Sequence, residues 1–274
     1  MRNLRAEKPL KYPLLISDID GTLVHLGTDI DANIAAAIHR ARERGLRFTL
    51  ASGRNSLEVL WFLEQLGIEE PYIALGGAYV GDPRWDEPVF EATLSKEAVD
   101  FVLAAARKLK LDIVVEYPDR LIYEFHSHFL EEFSRLTSPV VRLNPGEFQV
   151  EHLPGKMVLV GAETAIAEMQ SALQAYHDGL EYTCSRANVL DITAEGIHKG
   201  RALAALSEHI QLPLNRIAAI GDGGNDVSML STAGFGIAMG SSKDDLKSIA
   251  DLVAPPQEEN GFVRVIDALL NMRV

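Results

Sequence analysis

Two short apolar runs stand near opposite ends of the chain, Leu14-Leu15-Ile16 and Ile217-Ala218-Ala219-Ile220. Both are too short for helices and are broken by turn residues, so they read as parallel strands buried on both faces. From about Asp31 to Arg44 the period changes: Ile34, Ala37, Ile38 and Ala41 share one helical face, Arg40, Arg42, Glu43 and Arg44 lie mainly elsewhere, and Gly45 ends the pattern. A strand at Leu46–Ala51, a helix near Ser56–Leu66 stopped by Gly67, and a strand at Tyr72–Leu75 closing on Gly76-Gly77 complete a βαβα order. That order predicts a parallel sheet with crossover helices.

From Asp82 the texture differs. Asp82-Pro83-Arg84-Trp85 is turn-like, and alternation over Ile113–Tyr117 and Leu121–Phe125 predicts strands paired around Pro118-Asp119. Helical periods at about Lys96–Leu109, His126–Leu136 and Thr164–His177 are interleaved with strands near Val140 and Met157–Val160, a mixed α+β insert. Regular alternation returns at about Leu190, with a helix over Lys199–Ile210, the Ile217 strand, a helix around Val227–Ala233, a strand at Gly236–Met239 and a helix near Phe262–Met272.

Charge and composition narrow the partners. With 274 residues the chain can bury a sizeable core, and its formal charge of -13, without a block of consecutive Lys or Arg, argues against nucleic acid. Cys184 is the single cysteine, which forbids an intrachain disulfide and is expected to be a small buried hydrophobe. Met1–Lys11 is polar and basic, and no apolar stretch is long enough for a bilayer, so a cytoplasmic protein without membrane contact is expected.

Both strand runs end in acid. Asp18-Ile19-Asp20-Gly21-Thr22 follows the first after Ser17, and Gly221-Asp222-Gly223-Gly224-Asn225-Asp226 directly follows the second. If one sheet holds both runs, Asp18, Asp20 and Asp222 crowd at its carboxyl edge, where open α/β sheets place ligands. A hard divalent cation relieves such crowding, and few protein ligands with room for water or phosphate favour Mg²⁺. Ser52 at the mouth of the second helix offers an anion site, and Lys199 offers a fixed positive charge. The set suits phosphoryl transfer: Asp18 attacks phosphorus, Asp20 protonates the leaving alkoxide and then deprotonates water, and Lys199, Ser52 and Asn225 hold the equatorial oxygens.

In order, Asp18-Ile19-Asp20-Gly21-Thr22-Leu23, Ser52-Gly53-Arg54, His198-Lys199-Gly200 and the Gly221–Asp226 cluster resemble the four motifs of the haloacid dehalogenase (HAD) superfamily. More narrowly the chain resembles Cof-type phosphatases, whose type IIB cap lies between the second and third motifs. The resemblance spans essentially the whole chain. It implies an α/β fold with a Rossmann-like core at 1–81 and 190–274 and an α+β cap at 82–189 that sets substrate specificity. It makes Asp18 nucleophile and metal ligand, Asp20 general acid/base and a ligand through its backbone carbonyl, and Asp222 the third ligand. Ser52, Gly53, Lys199 and Asn225 would bind phosphate, with Asp226 near Lys199 or a metal-bound water. Relatives often carry Asn-Gly where this chain has Gly76-Gly77. The implied activity is Mg²⁺-dependent hydrolysis of small phosphomonoesters, sugar phosphates or pyridoxal-phosphate-like cofactors, by a monomer or homodimer.

Other readings compete. A phosphomutase can use the same two aspartates, and a non-catalytic regulatory module can keep the fold, although such a module is expected to lose Asp18, Asp20, Lys199 or Asp222. A calcium loop of the EF-hand kind needs glycine and glutamate where this chain has Leu23 and Asp29. Dehalogenation needs neither Asp20 nor a metal. Alone, Ser52 reads as a helix N-cap, His25 as an exposed turn residue and Trp61 as core, while Trp85 fits hinge or surface. Glu116, Tyr117, Tyr123, His126, His128 and Arg186 are the candidates for leaving-group contacts.

Overall fold

A computed structural model of the protein describes residues 8–25, 29–125, 140–176 and 179–274. The first part holds β1 (Leu14–Ser17), α1 (Ala32–Glu43), β2 (Arg47–Leu50), α2 (Ser56–Gln65), β3 (Tyr72–Ala74), β4 (Tyr79–Gly81) and β5 (Phe90–Glu91). The middle holds α3 (Lys96–Lys108), β6 (Asp112–Glu116), β7 (Leu121–Glu124), β8 (Val140–Leu143), β9 (Lys156–Val160), α4 (Glu163–Ala175), β10 (Leu180–Arg186) and β11 (Val189–Ala194). The last part holds α5 (Lys199–His209), β12 (Ile217–Gly221), α6 (Val227–Thr232), β13 (Phe235–Ala238), α7 (Asp244–Ile249), β14 (Leu252–Val253) and α8 (Gly261–Asn271).

The core is a parallel sheet of order β14-β13-β12-β1-β2, continued towards β3 by an Ala51–Ile73 bridge. Every residue of β1 and β12 is buried, which is why both read as unbroken apolar runs. One face is covered by a cluster containing Ile38, Phe48, Phe62 and Ile266, the other by one containing Ile16, Leu203, Ala219 and Met229. Helix α1 starts where the Asp31 side chain accepts the Asn33 amide and stops before Gly45. It buries Ile34, Ala37, Ile38 and Ala41, the predicted stripe, and each large side chain so buried contributes about 1.5–3 kcal/mol.

The inserted unit is a six-stranded sheet of order β10-β11-β9-β6-β7-β8, antiparallel except for the β7–β8 pair. Helices α3 and α4 cover one face through Val99, Val102, Ile166, Met169, Met157 and Leu159. The other face, with Val114, Tyr123 and Val158, turns to the core. Lys156 on that face bonds the carbonyl of Gly53, and β10 packs on the Gly224–Asp226 turn.

Several expectations change. By sheet membership the insert runs from α3 to β11, because β5 still pairs with β4 and β11 lies within the six-stranded sheet. The run Val189-Leu190 has the texture of a core strand but pairs with β9 and β10. Cys184 is exposed rather than buried, since β10 is an edge strand. The N-cap of α2 is Asn55, which accepts the Glu58 amide, not Ser52. Tyr117 packs in the cluster under α3 and bonds the His152 carbonyl, away from the core-facing side. Trp61 is partly buried against the core and edge-on to Phe62, and Trp85 is exposed, edge-on to His209. His126, His128 and the expected helix at His126–Leu136 lie outside the described residues. Among the described residues no helix is long and apolar enough to cross a membrane.

Candidate active site

Adjacent pairing of β1 and β12, with Ser17 opposite Ile220, brings Asp18 and Asp222 out at one sheet edge. The Asp18 amide bonds the Ile220 carbonyl at 2.9 Å, which fixes the start of the loop. Lys199, the first residue of α5, is 0% exposed; its Nζ lies 2.6 Å from Asp18 Oδ1 and 2.6 Å from Asp226 Oδ1. An ammonium has three protons, so one remains for a ligand. Asp226 Oδ2 accepts the amides of Asp222 and Gly223, each at 3.0 Å. Thr22 donates to Asp222 Oδ1 at 2.9 Å.

Two glycines make this packing possible. At Gly21, φ is +88° and an added Cβ would stand 2.3 Å from Asp222 Oδ2. At Gly77, φ is +109° and a Cβ would stand 2.4 Å from the His198 carbonyl carbon, so the turn after β3 presses on the start of α5 and seats Lys199. Gly76 has φ +67° and open space beside it, a left-handed position that asparagine also tolerates.

Burial is the main reason the Asp18 carboxyl titrates well above the usual range; Lys199 opposes it, while Asp226 and Asp222 add to it. Asp222 is pushed up to about 6, again by burial first and by Asp226 next. Burial alone would lower Lys199, yet Asp18 and Asp226 raise it, so it stays an ammonium. Oxygens of Asp18, Asp222 and Asp226 lie within 4.8 Å of one another, a hard-oxygen donor set that fits Mg²⁺. The triad contains Asp18 and Asp222, the two side chains expected as ligands, while Asp20 is expected to act through its backbone carbonyl. Asp226 already binds Lys199 and two amides, and the Asp20 carboxylate points elsewhere.

Asp20 is held by Arg54 through Nε at 2.8 Å and Nη2 at 2.7 Å, and the guanidinium also lies over Phe62. Ser52 is buried; its amide donates to the Ile73 carbonyl and its Oγ accepts the Arg54 amide, which leaves the hydroxyl proton for a ligand. Gly53 follows it beneath Lys156. Asn225 sits half-buried in the turn under β10. His25 is exposed. Sequence reasoning assigned no role to Thr22, Arg54 or Lys156. Thr22 and Arg54 lie inside the Asp18–Leu23 and Ser52–Arg54 motifs and are legible there as polar neighbours, whereas a lysine opening an apolar strand gives no signal.

The family described as haloacid dehalogenase-like hydrolase matches residues 15–266. This chain belongs to that family. It is 27% identical over 266 residues to 5-amino-6-(5-phospho-D-ribitylamino)uracil phosphatase YitU of Bacillus subtilis, covering 93% of this chain and 96% of the relative. It is 28% identical over 249 residues to the HMP-PP phosphatase of Yersinia pseudotuberculosis, covering 86% of each. Among solved structures, the HAD subclass IIB sugar phosphatase BT4131 superposes with a TM-score of 0.82 at 25% identity, covering 93% of this chain and 98% of that one. The HAD fold explains the layout described above, a parallel core with an antiparallel cap. This HAD hydrolase is a phosphoric monoester hydrolase of the Cof type.

Proposed function

We propose that this HAD hydrolase is a Mg²⁺-dependent phosphatase of small phosphomonoesters that works through an aspartyl-phosphate on Asp18. The observation that carries the reading is the buried Lys199 ammonium fixed between Asp18 and Asp226, with Asp222 alongside. Lys199 engages Oδ1 of Asp18, so Oδ2 is the attacking oxygen. In this reading Asp18, the Asp20 carbonyl and Asp222 hold the metal, which when bound offsets the repulsion between an anionic nucleophile and an anionic phosphate. Asp18 forms the new P–O bond as the leaving alkoxide departs, and Asp20 gives that alkoxide a proton. Water then attacks the phosphorus, Asp20 takes the water's proton, and inorganic phosphate leaves with Asp18 restored. To reach the leaving oxygen Asp20 turns off Arg54. The third Lys199 proton, the Ser52 hydroxyl, the Gly53 amide and the Asn225 side chain hold the phosphate oxygens, and Asp226 orients Lys199.

The parallel-sheet core carries this chemistry, and the inserted cap, α3 to β11 by sheet membership, closes over the leaving group and sets specificity. Substrates are small phosphorylated metabolites, sugar phosphates or pyridoxal-phosphate-like cofactors, handled by a cytoplasmic monomer or homodimer. The relatives named for a phosphoribitylamino-uracil and for HMP-PP, and the sugar phosphatase, support small size. The test is phosphate release from sugar phosphates, pyridoxal phosphate, nucleoside monophosphates and p-nitrophenyl phosphate, with Mg²⁺ or EDTA, for the wild type and Asp18→Asn. Magnesium-dependent release that the variant lacks is expected. Isomer conversion without phosphate release would make the enzyme a mutase, and no release with any metal would sink the reading.

A further inference from the structure

The cap face above the catalytic carboxylates carries polar groups that the phosphate chemistry leaves unused. Lys156, 5% exposed, reaches Gly53 O at 2.9 Å, Asp191 Oδ1 at 2.7 Å and Glu116 Oε2 at 3.5 Å. Gly53 belongs to the Ser52–Arg54 loop, so this contact seats the cluster beside the phosphate position. Glu116 stands opposite Lys156 in the β6–β9 ladder, and Tyr123 opposite Val114 on the same face. From the core, Glu58 of α2 approaches closely enough that its charge acts on both Glu116 and Tyr123. Arg54 lies 4.0 Å from Glu58 and also holds Asp20, which completes a line from the cap to the proposed general acid.

In this seam Tyr123 Oη is buried with neither a hydrogen-bond partner nor an ion pair among the described residues, and Glu116 Oε2 has only the long 3.5 Å ion pair to Lys156. Tyr123 is 2% exposed, so its hydroxyl has given up water without gaining a partner among the described residues. Val114, Leu121 and Val158 flank it with apolar wall. The charges are unequal in effect. Asp20, Glu58, Glu116 and Asp191 are carboxylates; Arg54 is engaged by Asp20, Lys156 by Asp191 and Gly53, and Arg142 is exposed over the Phe125 ring. Among the described residues the seam therefore offers hydrogen-bond acceptors and, with Glu116 ionised, four carboxylates against the two cations Arg54 and Lys156, to whatever the phosphate is attached to.

Resting on the phosphatase reading above, we propose that Glu116 and Tyr123, backed by Lys156 and Glu58, form a leaving-group subsite. It takes neutral leaving groups rich in hydroxyl or amine donors and rejects those carrying a second anionic group. A hydroxyl of the leaving group donates to Glu116 and pairs with the Tyr123 hydroxyl, while a carboxylate or second phosphate meets Glu116, Glu58 and Asp191 in a site of low dielectric.

The test compares kcat/KM for D-ribitol 5-phosphate and fructose 6-phosphate with fructose 1,6-bisphosphate, 6-phosphogluconate and the donor-free p-nitrophenyl phosphate. The wild type is expected to prefer the neutral compounds over the doubly anionic ones by tenfold or more. Tyr123→Phe and Glu116→Gln are expected to lower kcat/KM for D-ribitol 5-phosphate at least fivefold more than for p-nitrophenyl phosphate. Glu116→Gln is also expected to narrow the gap against the bisphosphate, an effect that loss of packing would not produce. Equal or better use of the anionic compounds by the wild type, or equal losses on every substrate, would overturn the subsite while p-nitrophenyl phosphate turnover keeps the phosphatase reading intact. Failure of the wild type on p-nitrophenyl phosphate and all the others would overturn both.

Discussion

Replacing Lys199 with methionine keeps a long unbranched side chain in a fully buried position but removes two charged hydrogen bonds of 2.6 Å each. It leaves Asp18 and Asp226 buried beside Asp222 with no cation between them. Breaking a buried ion pair by deleting one partner costs about 3–5 kcal/mol, because the remaining charges keep their desolvation penalty. For a chain of this length each kcal/mol moves the melting temperature by roughly 2–4 °C, so Lys199→Met should melt roughly 6–20 °C below the wild type in EDTA. Urea unfolding supplies the free energy directly, and a cycle with Asp226→Asn isolates the pair. Coupling of about 1.5 kcal/mol or more is expected between them. Adding Mg²⁺ should stabilise the variant, since a divalent cation bound only in the folded state, at Asp18, Asp222 and the Asp20 carbonyl, shifts the equilibrium by mass action. A loss below about 1 kcal/mol in EDTA, or additive single and double variants, would refute the view that Lys199 holds the carboxylate cluster together.

Other perturbations read different parts of the fold. Gly77→Ala places a Cβ 2.4 Å from the His198 backbone at a φ of +109°, and should cost about 3 kcal/mol or more in urea while lowering kcat through the displaced Lys199. Asp82, its side chain 0% exposed, is held well below the usual carboxylate range by Arg84, against burial and with help from His209. A depressed value means stability that is present above the unfolded pKa and lost as pH falls, so Asp82→Asn should cost about 1–3 kcal/mol at pH 7 and converge with the wild type towards pH 2 in acid titrations. Glu116 runs the other way: burial, opposed by Lys156, pushes it up to about 7, so the folded state binds its proton more tightly and loses stability as pH rises from about 4.5 towards 7. Glu116→Gln should remove a decline on the order of 3 kcal/mol over that interval in urea melts, and an unchanged pH slope would contradict the assignment.

The core was the most legible part of the chain because its strands are buried on both faces and its helices carry clean stripes. The β1 and β12 runs, the α1 face and the α8 span were all readable from apolar spacing. Strands β4 and β5 were not, since three- and two-residue strands carry too few positions to establish a period. Strands β10 and β11 misled for a different reason: Val189 and Leu190 look like any buried pair, and only pairing with β9 reveals the sheet they join. In the site, Asp18, Lys199, Asp222 and Asp226 come together from motifs far apart in the chain. The Asp20–Arg54 pair and the Lys156–Gly53 contact were invisible, because each depends on where a long flexible side chain finds its partner. Cys184 shows the limit of residue-type averages, which know nothing of sheet edges.

Because 200 positions separate Thr22 from the Asp222 it bonds, the two neighbouring strands that carry the carboxylates are made at very different times during synthesis. The cap between them is contiguous, with its own apolar cluster from Leu94 to Ile192, and is synthesised before β12. At roughly 5–20 residues per second, β1 waits roughly 10–40 s with one flank unpaired. Until β12 arrives, Asp18 has neither Lys199 nor Asp226 beside it in a finished cluster. The nascent chain thus receives the residues of its roof before its floor is complete, and a chain truncated before residue 217 would carry the whole cap sequence tethered to a sheet whose central slot is still open.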